Sequence, residues 1–539
     1  MKNTFATLMS ILMLVTVTSS WAQDDPNISE QRYRHSLKTL SSDEFEGRAP
    51  TTIGEEKAIA FITDQFKKAG ASPGVEGSYL QGVDLVSMET TEAKMSYSIE
   101  GKTTSIIQGE HIVALTRHVK ENNALTDLDV VFVGHGIVSP EYDWNDYEGV
   151  DVKDKIVIIL NNDPGYLTEN ISFFLGRGVT YYARNSYKYE EAERQGARAA
   201  FIIQDERTMN GDWDRQATRS MRPRLVLDSN KSNSVEVEGW VRNEFAAELL
   251  ANSGLDYAKE SEAALIRGYK AKPLNSKMSL SLTSKLIHSR SYNVLGIVPG
   301  TERPEEYVFY MAHWDHVGKD ETLVGDQIFN GARDDASGVS ALIELANAFA
   351  AKPAKRSVVF MAVTAEESGL LGSFHYVQNP IYPLNDIVGA LNLEMMNFWG
   401  ETSDLLVHGI NNSPEMDAWI HEAVVVKQGR TPKPFGRPEA GIAYRSDAFS
   451  FNRSGVPVVG LATGTDNIEK GTEWMRAQGL DYIRNHYHKV TDEYREDMDL
   501  RGAVKDTEAL YFMGEAMANS DKFANWYEGK EFKYLRPNR

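Results

Sequence analysis

The sequence contains no cysteine, and that absence removes several chemistries at once. Disulfides, thiolate metal ligands and a lipid carried on an N-terminal Cys are all excluded. A transition metal bound by this chain has to be held by histidine and carboxylate. An excess of positive charge is also missing: 57 Lys and Arg stand against 77 Asp and Glu, a formal net charge of -20. Affinity for nucleic acid or an anionic membrane rests on clustered Lys and Arg, so neither is expected as the main partner. After the first residues, no apolar run approaches the roughly 20 residues that a membrane helix requires, and no membrane span is expected.

What is present is ordinary for a globular chain: 42% hydrophobic and 25% charged residues over 539 positions. At about 150 residues per domain, that length implies two to four units. The opening "MKNTFATLMSILMLVTVTSSWAQDDP" has a basic start at Lys2, a short apolar segment over 5–17 and a cleavage site at Ser20-Trp21-Ala22. It is expected to be a signal peptide over 1–22, giving an exported protein that is periplasmic or secreted. Residues 23–120 then open the main domain, where the spacing of Ile59, Ile62 and Phe66 predicts an amphipathic helix ending at Gly70. Over 126–205 the pattern changes to short β-rich runs, "DVVFVGHGI", "KIVIILNND" and "ARAAFIIQDE", which predict a separate β-rich module within 121–285. From 286 to 539, strand and helix alternate. Near-continuous apolar strands and a helix over 337–350 with Val339, Leu342, Ile343, Ala346 and Phe349 on one stripe predict an α/β fold. Its mixed, largely parallel sheet is expected to be flanked by helices. A further helix around Ala509, Phe512 and Met513 closes the layer.

In open α/β sheets, ligands collect at the carboxyl ends of the strands. His313 follows the run 308–312, Glu366 and Glu367 follow 358–365, and Glu394 follows 388–393. Asp334 and Asp335 precede the 337–350 helix, and "RNHYHKVTDEY" adds His486 and His488. Singly, each has an ordinary structural explanation: a helix cap, a solvated loop, a packed ring. Together, at one sheet edge, they form the nitrogen and oxygen donor set that zinc takes when no sulfur is available. In "AHWDHVG", His313, Asp315 and His316 all carry donors, and only one may end the strand. By the two-residue strand period Asp315 shares the face of His313 and is expected to orient its imidazole without touching metal. His316 has the opposite parity and is expected to be a pocket or packing residue.

The series "AHWDHVG", "GARDDASG", "AEESGLLGS", "NLEMMN" and "YHKVTDEY" resembles, in order and spacing, the co-catalytic zinc exopeptidases of peptidase family M28. The resemblance runs from about Leu37 to Asn519, and "VFVGHGIVSPEYDWNDYEGVDVKDKIVIIL" is similar to the protease-associated (PA) domain that many members carry as an insertion. It implies two Zn²⁺ per chain, one held by His313, Asp334 and Glu394 and the other by Asp334, Glu367 and His488, with Asp334 bridging. It implies Glu366 as the general base that takes a proton from the attacking water, peptide as substrate and aminopeptidase as the leading activity. Asp335 then falls where it can cap the helix.

Two positions depart from the family pattern. Arg333 stands where an acidic residue is common and is expected to pair outward with a carboxylate; Glu394 stands where Asp is commoner. In "AYRSDAFSF" Ala448 replaces the family His, leaving Tyr444 as a donor for the oxyanion and Asp447 as support for the ligands. A carboxypeptidase or dipeptidase would need cations for the substrate carboxylate, for which Arg333 and Arg445 are the available residues. A receptor-like protein without metals is the third reading, and the complete ligand set argues against it. The aromatic and acidic residues Tyr142, Trp144, Tyr147 and Glu148 of the β-rich tract are expected to serve packing. Side-chain preference and oligomeric state have no signal.

Overall fold

The computed structural model describes residues 26–536 except 169, 206, 208–211 and 230–232. The signal peptide expected over 1–22 lies outside the described residues. Among them, no helix is long and apolar enough to cross a membrane.

The fold is mixed α/β. At its centre Arg303–His313 lies between Arg356–Val363 and Ile387–Leu393, parallel to both, and Ile387–Leu393 pairs in parallel with Val458–Ala462. Every residue of Arg356–Val363 and Ile387–Leu393 is buried, which is why these strands read as unbroken apolar runs instead of alternating ones. The edge is mixed, since Asp404–His408 runs antiparallel to Val458–Ala462 and parallel to Thr431–Pro434. Helices cover one face: Ser337–Ala351 buries nearly its whole circumference between the sheet and the helices Glu30–Leu40, Ile53–Ala69 and Arg501–Asn519. The expected stripe of Val339, Leu342, Ile343, Ala346 and Phe349 is buried there. Each fully buried Leu, Ile or Phe contributes about 1.5–3 kcal/mol. Ile53–Ala69 ends at Gly70, whose φ of 90° closes the helix in the left-handed conformation.

The strand "YNVLGIVPG" is not an independent element. It ends a 27-residue strand, Lys272–Val298, which runs through positions 285 and 286. Its first half pairs with Asn122–Phe132, its last five residues pair with Arg356–Val363, and Leu80–Ile99 pairs along much of its length. Its first half alternates buried with more exposed residues, a pattern that gives no single core to point at. Beyond it lies a second lobe with parallel strands Asn122–Phe132, Ile156–Leu160, Ala199–Gln204 and Val237–Arg242 and an antiparallel edge, Ile112–Leu115. This lobe has its own apolar clusters on the two sides of its sheet. Trp144 and Tyr147 are buried in it, Tyr142 stacks on Phe174 at 4.2 Å, and exposed Glu148 pairs with Lys270. Packing and surface pairing account for all four.

Candidate metal centre

The parallel strand Arg303–His313 ends at its histidine. Trp314 N–H still donates to the Val363 carbonyl, so the backbone turns only after the His313 side chain has been placed at the sheet edge. That turn is held from the far N-terminal side. The buried Arg48 guanidinium donates to the carbonyls of Trp314 (2.8 Å), Leu40 (2.6 Å), Asn330 (2.7 Å) and Gly331 (3.0 Å), and the Arg48 carbonyl accepts from His316 N–H at 3.3 Å. One cation thus ties together the His313–His316 turn and the loop that precedes Asp334. Replacing Arg48 with Met leaves four carbonyls without their donor; the expected cost is ~3–5 kcal/mol, read as a lower midpoint in urea denaturation.

Gly331 opens the next loop with φ 56°, and a Cβ there would lie 2.6 Å from the His316 ring, so only glycine fits the close approach. Asp334 and Asp335 then leave helical geometry, with φ −114° and −128°. The Asp335 carboxylate accepts from Gly338 N–H at 2.8 Å and from Met395 N–H at 3.2 Å, capping Ser337–Ala351 as expected. The backbone N–H groups of Arg333 and Asp334 donate to the buried carboxylate of Asp492, each at 3.2 Å, and the Tyr482 hydroxyl donates to it at 3.1 Å. Asp492 therefore sets the position of Asp334 without reaching the cluster. Asp492→Ala is expected to weaken metal affinity by roughly 10–100-fold, measured by competition with a chromogenic chelator.

Arg333 does not pair outward with a carboxylate. Its buried guanidinium donates to the Met395 and Met396 carbonyls (3.1 Å each) and Thr463 Oγ1 (2.9 Å). It lies 4.3 Å from the Trp399 ring centre and 4.5 Å from that of Tyr482. Two electron-rich ring faces take the place of the expected anion.

Around Asp334 the donors converge. His313 Nε2 is 3.2 Å from Asp334 Oδ1, and His488 Nε2 is 3.2 Å from Asp334 Oδ2 and 3.1 Å from Glu367 Oε2. His316 Nδ1 is 2.9 Å from Glu367 Oε1, so His316 belongs to the cluster and is not merely a packing ring. Ligand atoms of His316, Asp334 and Glu367 all lie within 4.8 Å of one another, consistent with one zinc site. Yet His313 Nε2, both His316 nitrogens and Glu367 Oε1 are buried without a hydrogen-bond partner. The short contacts are near in distance but not aligned as hydrogen bonds. Lone pairs that approach a common region without addressing each other are what a cation requires, and the donor set fits Zn²⁺.

The remaining residues sort cleanly. Glu394 is placed at the end of Ile387–Leu393, where burial raises its carboxyl to about 7 while the His313 ring opposes the shift. Glu366 lines the same cavity as Asp334, Glu367, Glu394 and His488. Burial pushes the Glu366 carboxyl well above the usual range, and the carboxylates of Glu394 and Asp447 add to it against the pull of His313. Burial also works against the charge of Asp334, but the His313 and His488 rings hold it well below the usual range. Asp315 acts by a different route from the one expected. His313 Nδ1 bonds its backbone carbonyl at 3.0 Å, while its carboxylate accepts from the N–H groups of Glu366 (3.0 Å) and Glu367 (3.3 Å). It thereby fixes where both glutamates start. His486 lies apart, bonded to the Thr491 carbonyl and near Asp481.

Tyr444 is not free to donate to an oxyanion: its hydroxyl is already bonded to the Glu531 carboxylate at 3.0 and 3.1 Å. Asp447 is buried with Oδ1 unpartnered, and burial raises its carboxyl to about 6. Arg445 is exposed and lines the cavity, about 800 Å³ in volume, that opens over the cluster and is walled on its far side by the second lobe. His316, Arg48 and Asp492 are the site residues that sequence reasoning missed. His316 and Asp492 stood inside the quoted motifs; Arg48 acts through backbone carbonyls and has no pattern of its own.

Residues 293–511 match the model of peptidase family M28. A probable leucine aminopeptidase 2 of Aspergillus oryzae is 27% identical over 228 residues, 40% of this chain and 42% of that protein. Aminopeptidase NAALADL1 of Rattus norvegicus is 25% identical over 210 residues, 38% of this chain and 25% of that protein. The chain thus spans less than half the length of these curated relatives. The aminopeptidase from Aneurinibacillus sp. strain AM-1 superposes with a TM-score of 0.50 at 18% identity, covering 92% of this chain and 95% of that one, a likeness of fold.

Proposed function

We propose that the chain, whose residues 293–511 match the model of peptidase family M28, is a zinc-dependent exopeptidase that removes residues from peptide N-termini. The observation that carries this reading is the convergence of unpartnered imidazole nitrogens and carboxylate oxygens around Asp334. His313, Asp334 and Glu394 would hold one zinc and Asp334, Glu367 and His488 a second, with His316 close enough to Glu367 to ligate or to orient it. When bound, zinc supplies a Lewis acid for the scissile carbonyl and lowers the pKa of the attacking water.

Glu366 is the general base. Its carboxylate, placed by the hydrogen bond from its own N–H to Asp315, accepts the proton of the attacking water and returns it to the departing amine. A base that must accept and then donate benefits from a raised affinity for the proton, which burial and the nearby carboxylates provide. The carboxylates gathered at the cluster, Asp334, Glu366, Glu367 and Glu394, suit a protonated substrate α-amine, which favours attack at the N-terminus. The β-rich tract of 121–285 would be the inserted PA-type domain, closing one wall of the cavity, and the opening 22 residues would direct export. A comparison of free and N-blocked aminoacyl amides tests the chain end: free-amine substrates should be turned over, and cleavage of N-blocked substrates alone would overturn the aminopeptidase reading.

A further inference from the structure

Resting on that reading, we infer that Glu531 is a positioning residue: it locks the seam between the two lobes that walls the cavity, and so governs the binding of peptides long enough to lie against that wall. Glu531 belongs to the segment that follows Arg501–Asn519, beyond the residues 293–511 that match the family model. In the sequence this segment, "NWYEGKEFKYL", is an aromatic stretch without a motif. It is fastened to the lobe that carries the metal centre. Asn525 N–H donates to the Glu415 carboxylate at 2.9 Å, the Trp526 indole N–H to the Gly455 carbonyl at 2.8 Å and Tyr527 N–H to the Asn412 carbonyl at 2.9 Å. Further on, the Arg536 guanidinium donates to the carbonyl of Ile387, which opens the central strand Ile387–Leu393.

Between these anchors Glu531 reaches across the seam. Its carboxylate accepts from the Tyr444 hydroxyl at 3.0 and 3.1 Å and from the backbone N–H of Tyr181, in the second lobe, at 3.3 Å. Phe532 follows it inward, its ring centre 5.4 Å from that of Tyr181 and 5.7 Å from that of Trp526. Two other links cross the seam: Val179 N–H donates to the Pro438 carbonyl at 3.0 Å, and Arg453 pairs with both carboxylate oxygens of Glu190, at 2.8 and 3.1 Å. The Glu531 link differs because a single carboxylate serves both lobes. The seam is part of the substrate cavity, since Tyr444, Phe449 and Arg453 line it from one lobe and Glu190 from the other, together with Glu366 and His488. Glu531 itself stands behind the wall and acts through Tyr444 and Tyr181. A cavity of about 800 Å³ encloses a ligand larger than one residue, so a peptide of several residues lies against the seam while the smallest aminoacyl amide does not. Loss of the carboxylate leaves the Tyr181 N–H and the Tyr444 hydroxyl without their acceptor and frees the wall to shift.

Two variants of the full chain separate the link from bulk. Glu531→Leu keeps the volume and removes the acceptor, whereas Glu531→Gln keeps an oxygen that can accept from both donors. Hydrogen exchange, followed by mass spectrometry over 178–184, should be roughly tenfold faster in Glu531→Leu than in wild type and near wild type in Glu531→Gln, with the buried central strands unchanged in both. Initial rates of first-residue release should show KM for an alanine pentapeptide raised roughly tenfold in Glu531→Leu, the worth of one hydrogen bond to a charged group, and restored in Glu531→Gln. Alanine amide should keep its KM and kcat in both variants. Unchanged exchange over 178–184 in Glu531→Leu, faster exchange spread evenly over the chain, or a KM that shifts equally for both substrates would overturn the assignment. Exchange is read without substrate, so it does not depend on the exopeptidase reading, whose failure would show separately as chelator-insensitive hydrolysis by wild type.

Discussion

Glu366→Gln should keep its metal and lose turnover by roughly a hundred- to ten-thousand-fold, the range that general acid–base catalysis supplies. Gln preserves the shape of the side chain and the backbone N–H bond to Asp315 at 3.0 Å, so Glu367, the next residue, stays where it is. What disappears is the ability to accept a proton. Since binding groups are untouched, the loss should fall on kcat and leave KM nearly unchanged. The variant should also be at least as stable as wild type when metal is absent, because it removes a buried carboxylate flanked by Glu394 and Asp447. Near wild-type kcat would show that another group takes the proton.

Asp334→Ala should have the other large effect, and through a different route. Asp334 is the carboxylate shared by the two proposed ligand sets, at 3.2 Å from His313 and 3.2 Å from His488. Without it neither proposed zinc keeps a full set of protein ligands, and the two rings lose the anion that holds their protons. Zinc content should fall below one per chain and turnover with it. A readout independent of activity is available: added zinc should raise the melting temperature of metal-free wild type, since a ligand that binds only the folded state stabilises it by about 2.7 kcal/mol at 100 Kd. That rise should be absent in the variant. If Asp334→Ala still binds zinc with unchanged affinity, the bridge assignment is wrong.

The parts of this molecule that could be read in the sequence are those where local pattern and chemistry coincide. The buried stretches of the parallel strands are largely apolar, so their ends could be located within a few residues: one strand stops at His313 itself, one at Leu393 beside Glu394 and one at Val363, three residues before Glu366. Asp334 could be told from Asp335 by its register in the motif that resembles family M28, and Asp335 then falls at the helix start, where it accepts from Gly338 N–H. His316 could not be placed by parity, because the strand stops at His313 and alternation has no meaning in the turn that follows. The environment of Arg333 was equally hidden: Trp399 and Tyr482 reach it only through the tertiary fold. Arg48 contacts the Trp314 carbonyl across 266 positions, and a carbonyl carries no residue identity to recognise. The two-lobe junction was obscured for a related reason. One strand of 27 residues serves both lobes, and its alternating half resembles a surface ribbon.

Metal stoichiometry measured together with turnover tests the central claim most directly. The purified protein, stripped with a chelator and titrated with Zn²⁺ while its hydrolysis of a free-amine aminoacyl amide is followed, should be inactive without metal and regain activity as zinc binds, saturating at two per chain. Full turnover in protein that holds no zinc would contradict it.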